Sequence, residues 1–558
     1  IIEHAEFGRN VPDEAMPDED KMNLGKIYHM GKEEAAGLLL NRQAMASHTF
    51  ITGSTGTGKS NAVYHLLDEI TKNGQTTFLV VEPAKGEYKN VFGNCTDVQV
   101  FGTNPRETPL LRMNPFAFPE NIHILEHIDR LVEIFNACWP MYAAMPAVLK
   151  DAIERSYQKV GWDLRNSESE KGVFPTFFDL LDILPGVIEE SHYSKDTQSD
   201  YVGALCTRVK SLTNGIYGSV LCAEDALTDE ALFDRNVIVD LSRVGSMETK
   251  SLLMGILVMK LQEYRMCSSG MNSRLRHVTV LEEAHNLLRK TSAGQSQEGA
   301  NLQGKSVEML ANAIAEMRTY GEGFIIADQA PGLLDMSVIR NTNTKIILRL
   351  PDEEDRKLVG KSAALKEAQI DELSKLPLGV AAVYQNEWPE AVLCKIEAYP
   401  MPENAVYHKP SKMPHEINAE FVFGQLAVGK ELEPLSSSEM EQLKLWLKRH
   451  ETVLKPEDSR YLERVFAGGE LDVAKTRKAV FDFFGGIGTV VDYCAAAKKS
   501  LTPRKEFLEQ LQGQYGLKAA AADWVLNSVI SMGMSLNPDA KAVDNLRTNF
   551  EQQGGRVL

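Results

Sequence analysis

The sequence predicts an α/β fold with a mainly parallel sheet, and three observations lead there. Strand-like apolar runs recur at 48–52, 76–82, 236–241, 277–282, 323–328 and 345–350, and helical patterns separate most of them. Such alternation marks parallel strands covered on both faces by helices. The first run is followed by GSTGTGKS at 53–60, and then by Val63, Leu66, Leu67 and Ile70 at helical spacing. Two later runs end in polar groups, Glu282-Glu283 and Asp328-Gln329. In open α/β sheets ligands bind at the carboxyl ends of the strands.

Residues 53–60 fit GxxxxGK[ST] in the strand–loop–helix context that its mechanism requires. Gly53, Gly56 and Gly58 let the backbone turn its N–H groups towards phosphate oxygens, and the helix near Lys59 adds its positive end. Lys59 is expected to neutralise the β and γ phosphates, and the Ser60 hydroxyl to coordinate Mg²⁺. The expected nucleotide contacts are Gly53, Ser54, Thr55, Gly56, Thr57, Gly58, Lys59, Ser60 and Asn61. The implied cofactors are ATP and Mg²⁺.

A nucleotide hydrolase also needs an acid at the metal and a base at the water. The segment HVTVLEEAHN at 277–286 offers both at the end of a buried strand. Glu282 is expected to hold Mg²⁺ through water, and Glu283 to polarise the attacking water. The next strand, GFIIAD, leads into Gln329, which could sense the γ-phosphate or order the water. Its bland alternative is a turn-forming Gln before Ala-Pro. Arg318 sits near the end of a helix with Val307, Leu310, Ile314 and Met317 on one face. An arginine there is usually solvated or stabilises the helix dipole.

The 558 residues exceed one ordinary domain, and 43% hydrophobic with 25% charged residues is ordinary globular composition. No apolar run reaches the ~18 residues of a membrane span. Leu252–Met259, cut off by Lys260, reads as a buried helix. The seven cysteines are scattered without a CxxC pair, so reduced thiols in a cytoplasmic protein are expected. A net charge of −17 argues against a non-specific DNA coater; nucleic acid would need a local basic surface. The chain does not open on Met, so an upstream segment is expected.

Residues 1–23 read as an acidic linker and 24–400 as the α/β core, with a helical insertion over about 115–234. Residues 291–306 read as a mobile loop, 380–385 and 391–396 as a closing hairpin, and 401–436 as a linker. From 437 the pattern is helical to 558, opening with Ser438 and Glu441 at capping-box spacing, then Leu443, Trp446 and Leu447.

The combination of SHTFITGSTGTGKSN (47–61), VVEPAKGEY (80–88), VTVLEEAHNLL (278–288), EMRTYGEGFIIADQAP (316–331) and NTNTKIILRL (341–350) resembles the HerA branch of the HerA/FtsK superfamily of DNA-pumping ATPases. The resemblance covers about residues 24–400. It implies a RecA-like P-loop core in a homohexameric ring with nucleotide between subunits. It implies Arg318 as an arginine finger reaching the neighbour, with Arg349 a second candidate. Glu82 falls where relatives often have Asp, and would position water or couple Glu283 to DNA; equally, 82–88 could simply build the strand exit. Glu282 stands where the superfamily usually shows Asp, and its longer arm would reach Mg²⁺ through water. The family's N-terminal β-barrel would lie upstream of Ile1 or be missing from this branch, and the helical tail would brace the next subunit.

The implied activity is a translocase motor on double-stranded DNA, with pore surfaces sought at 242–250 or 291–306. The alternative is an ATP-regulated ring that scaffolds a separate effector. Resemblance to anti-phage defence proteins implies a sirtuin-like or nuclease partner. No membrane role is implied, and a metabolic kinase fits poorly.

Overall fold

The computed structural model describes residues 4–9, 16–142, 144–169, 172–223, 225–291, 297–401, 405–410, 422, 426, 443, 455–466, 472–515, 517 and 519–557. The chain divides into two compact units, one of residues 1–156, 175–223 and 227–409, the other of 157–174, 224–226 and 410–558.

The chain runs through β1 (Lys21–His29), β2 (Lys32–Asn41), β3 (Thr49–Thr52), α1 (Lys59–Thr71), β4 (Thr77–Glu82), α2 (Tyr88–Phe92) and β5 (Val98–Gly102). Between β5 and β8 lie α3 (Ile124–Cys138), α4 (Met145–Lys159), the short pair β6 (Trp162–Asp163) and β7 (Glu168–Ser169), α5 (Phe177–Glu190), α6 (Lys195–Tyr201), α7 (Thr207–Thr213), α8 (Gly215–Leu221) and α9 (Asp229–Phe233). The core resumes with β8 (Asn236–Asp240), α10 (Met247–Ser268), β9 (His277–Glu282), α11 (Gln297–Glu316), β10 (Glu322–Asp328), α12 (Met336–Arg340) and β11 (Thr344–Ile347). It closes with α13 (Glu353–Ser362), α14 (Glu367–Glu372), β12 (Val380–Gln385) and β13 (Val392–Ile396).

One sheet takes eleven strands in the order β2-β1-β13-β12-β11-β3-β10-β9-β4-β8-β5. From β11 to β5 every pairing is parallel; from β11 to β2 every pairing is antiparallel. The parallel part carries the predicted fold. Every residue of β3, β9 and β10 is buried, which is why the middles of these strands are mostly apolar rather than alternating with solvated polar residues. Helix α10 is buried almost all round, as expected of Leu252–Met259.

Polar groups lock the amino ends of β9 and β10. Glu322 accepts from Arg265 Nε (2.8 Å) and Thr279 Oγ1 (2.7 Å), and its Oε1 lies 2.8 Å from His277 Nδ1. Arg265 also reaches Asp234 at 2.6 Å. Burial alone would raise the Glu322 carboxyl; His277 and Arg265 more than reverse this and hold it down at about 2.

Two expectations are corrected. Residues 1–23 are not only linker: Gly8 N donates to Ala391 O at 2.9 Å, and β1 begins at Lys21. β1 and β2 escaped notice because register shifts at Asn23/Gly25 and Lys26/Tyr28 break the two-residue period. The loop read at 291–306 is helical from Gln297. The sequence of its opening turns, QEGANLQGKS, is polar and carries no apolar period. Residues 292–296 and most of 401–454, including Ser438, Glu441, Trp446 and Leu447, lie outside the described residues.

The second unit contains the β6–β7 pair and the helices α15 (Pro456–Phe466), α16 (Val473–Phe483), α17 (Gly486–Ala497), α18 (Pro503–Tyr515), α19 (Ala519–Leu536) and α20 (Ala540–Gln552). Leu462, Phe466, Val480, Phe483, Tyr493, Leu526, Ile530 and Phe550 form its own core. Asp472 and Asp539 cap α16 and α20 by accepting backbone N–H bonds. Among the described residues no single helix is long and apolar enough to cross a membrane.

Candidate active site

The loop at 53–60 leaves β3 and enters α1 as the sequence predicts. A Cβ on Gly53 would lie 2.7 Å from Thr57 Oγ1 and 2.8 Å from Leu348 Cβ, so only glycine fits there. Gly58 caps α1 with φ 103, a conformation that glycine adopts freely. The loop is pinned from both sides. Ser54 N and Oγ donate to Arg349 O at 3.0 and 3.1 Å, and Gly379 N donates to Thr57 O at 3.0 Å. Thr57 Oγ1 donates back to Ser54 O at 2.7 Å.

The acids at the ends of β9 and β10 converge on this loop. Lys59 Nζ lies 2.6 Å from Glu282 Oε2 and 3.6 Å from Glu283 Oε1. Burial works against the Lys59 ammonium, but Glu282, Glu283 and Asp328 outweigh it and hold its pKa above the ordinary lysine value. Glu283 sits just past the strand with φ 45, a left-handed conformation rare for a side chain of this kind. Its Oε1 accepts from Gln329 Nε2 at 2.8 Å, and Gln329 Oε1 accepts from Thr55 Oγ1 at 2.7 Å. Gln329 therefore bridges the phosphate loop and Glu283.

Glu82, at the end of β4, is buried and accepts from Glu87 N (2.8 Å) and Tyr88 N (3.1 Å). Burial pushes its carboxyl up to about 7 against those N–H groups, with Asp240 and Glu282 adding to the rise. Ser60 lines one small cavity with Lys59, Glu82, Tyr88, Glu282 and Glu283. A hydroxyl and a carboxylate facing one cavity beside a phosphate loop are the hard oxygen donors that magnesium takes.

Three partners were not read from the sequence. Tyr88 OH donates to Glu282 Oε1 at 2.5 Å. Asp328 Oδ2 accepts from His285 N at 2.8 Å and lies 2.9 Å from His285 Nδ1. That bond raises the His285 pKa against the effect of burial. Glu283, His285 and Asp328 offer ligand atoms within 4.8 Å of one another. Only the place of His285 and Asp328 beside the two predicted acids and Gln329 could have signalled them.

Two predicted residues stand elsewhere. The Asn61 side chain is used by Glu397 O (3.0 Å) and Tyr399 N (2.9 Å), so it braces the chain after β13 against α1. Arg318 lies beyond the amino end of β10 and is exposed, lining an open polar cleft of about 550 Å³ with Arg340, Asn341 and Asn343. The strand between Arg318 and Gln329 spans roughly 20 Å at ~3.3 Å per residue. The structure therefore does not bring Arg318 to the phosphate loop of its own chain. Arg349 is exposed, and it is its carbonyl that holds Ser54.

The fold and this convergence of loop, lysine and acids define a P-loop nucleotide-binding protein. Residues 22–259 match the family model described as "Helicase HerA, central domain". A probable helicase of Methanocaldococcus jannaschii is 23% identical over 436 residues, 71% of this chain and 76% of that protein. The DNA double-strand break repair helicase HerA of Sulfolobus acidocaldarius is 25% identical over 392 residues, 68% of this chain and 69% of that protein. Among solved structures, VirB4 of Thermoanaerobacter pseudethanolicus shares the fold, with TM-score 0.51 and 18% identity over 69% of this chain and 98% of that one. Over residues 22–259 the chain is thus similar to the central domain of HerA helicases, and its archaeal relatives extend that likeness to about two thirds of the chain.

Proposed function

We propose that this protein hydrolyses ATP with Mg²⁺ in a homohexameric ring and drives double-stranded DNA through it, acting with a separate sirtuin-like or nuclease effector in cytoplasmic anti-phage defence. The observation that carries the hydrolytic part is Glu283, hydrogen-bonded to Gln329 at 2.8 Å and 3.6 Å from Lys59. In this reading Lys59 leaves Glu282 for the phosphates. Ser60 and Glu282 hold Mg²⁺, which when bound offsets phosphate charge. Glu283 takes the proton of the attacking water, and Gln329 keeps the carboxylate aimed. Arg318, remote from its own loop, serves the nucleotide of a neighbouring subunit. Residues 24–400 act as the ATPase core, with the insertion at about 115–234, and 437–558 as a helical region behind the 401–436 linker. The DNA substrate is supported by the archaeal relatives named as helicases.

The net charge of −17 favours a second reading, in which the ring assembles and switches its effector without processive pumping. The two separate in one experiment. ATP turnover is measured for the protein alone, with duplex DNA, and with the product of the adjacent gene. Stimulation by DNA together with translocation supports the motor. Stimulation only by the neighbour supports the scaffold. Absence of turnover in every arm would sink the hydrolase itself.

A further inference from the structure

Glu282 is held from two sides. Lys59 Nζ takes Oε2 at 2.6 Å, and the Tyr88 hydroxyl donates to Oε1 at 2.5 Å. Both partners and the carboxylate are buried. Lys59 cannot remain there when nucleotide binds, because the same ammonium is needed at the phosphates. A buried carboxylate stripped of its cation is costly and free to turn unless another donor stays with it. Tyr88 is built to stay. Its backbone N donates to Glu82 Oε2 at 3.1 Å, which anchors the residue to the exit of β4. Its ring meets Tyr64 edge-on at 5.0 Å, and Tyr64 lies on α1, one turn past Ser60.

We propose that Tyr88 is the positioning residue for Glu282, holding the carboxylate in its metal-facing place after Lys59 has moved to the nucleotide. This rests on the reading of Glu282 as the magnesium acid. It also gives the 82–88 segment a role, since Glu82 fixes the backbone that aims the Tyr88 phenol. In this reading Tyr88 acts through Glu282 and not on the nucleotide. Its effect should therefore appear in how strongly Mg²⁺ improves nucleotide binding, and not in nucleotide binding as such.

The test titrates a fluorescent ADP analogue into the full chain, with excess Mg²⁺ and again with EDTA, for wild type, Tyr88→Phe and Tyr88→His. The ratio of the two affinities is the magnesium gain. Loss of one hydrogen bond to a charged group should cut that gain about tenfold in Tyr88→Phe, with the EDTA affinity unchanged. Tyr88→His, which keeps a donor, should retain part of the gain. It also serves if Tyr88→Phe does not fold, because a gain in Tyr88→His lost entirely would then count against the proposal. An undiminished gain in a folded Tyr88→Phe overturns the assignment. So does an equal fall in both affinities, which would mark a merely structural tyrosine. A wild type without any magnesium gain overturns the assignment of Glu282 as well, and so identifies failure of the underlying reading.

Discussion

The Lys59 ammonium lies 2.6 Å from a Glu282 oxygen, and each side chain is only 7% exposed. The phosphate lysine is thus paired with the acid expected at the metal. Nucleotide must compete with Glu282 for Lys59. Glu282→Gln should therefore bind metal-free nucleotide more tightly than wild type while losing most of the benefit of Mg²⁺. Calorimetric titration with and without EDTA checks this. Weaker metal-free binding in the variant would contradict the competition.

Glu283 makes a different prediction. Glu283→Gln should keep nucleotide affinity within a few-fold and lower turnover by roughly 10²–10⁴, the usual contribution of a positioned base. Gln329→Ala should give a smaller loss, because it releases the aim of Glu283 without removing it. Phosphate release under saturating ATP distinguishes them. Equal turnover in wild type and Glu283→Gln would remove the assignment of the base.

Arg318 belongs to an assembly test. Arg318→Ala and Glu283→Gln should each be nearly inactive, the former by ~10³ or more if it acts as an arginine finger. In the proposed ring, mixing the two variants should recover part of the activity, because an intact Glu283 site can then meet an intact Arg318. A mixture no more active than its components would place Arg318 outside the reaction.

Glu322 predicts how the fold responds to acid. Its folded pKa of about 2 lies below the ordinary glutamate value, so its stabilising contribution is present above that ordinary value. It is lost as pH falls from about 4.5 towards 2, the folded value. Glu322→Ala, which leaves Arg265 buried beside an empty place, should cost about 3–5 kcal/mol near neutrality. It should also flatten the acid limb of the stability curve. Denaturant melts across pH read both effects.

The parallel part of the fold was legible because burial on both faces leaves strands such as Val278–Leu281 and Phe324–Ala327 almost wholly apolar. The phosphate loop was legible because its chemistry demands glycines and Lys59 at fixed spacing. Other features had no local signal. The bulged β1 breaks its own period, and the polar sequence that opens α11 sets none. The Tyr88–Glu282 bond joins residues 194 positions apart, and the His285–Asp328 bond joins residues 43 apart. Such pairs come from strand order, in which β9 lies between β4 and β10.

Glu283 occupies φ 45, where glycine or asparagine would rest more easily. Reach has prevailed over backbone comfort at this position. Glycine or asparagine there should yield a protein that melts later, by up to ~1 kcal/mol, yet turns over no ATP. A thermal melt beside a turnover assay would expose that stability–activity trade-off at a single residue.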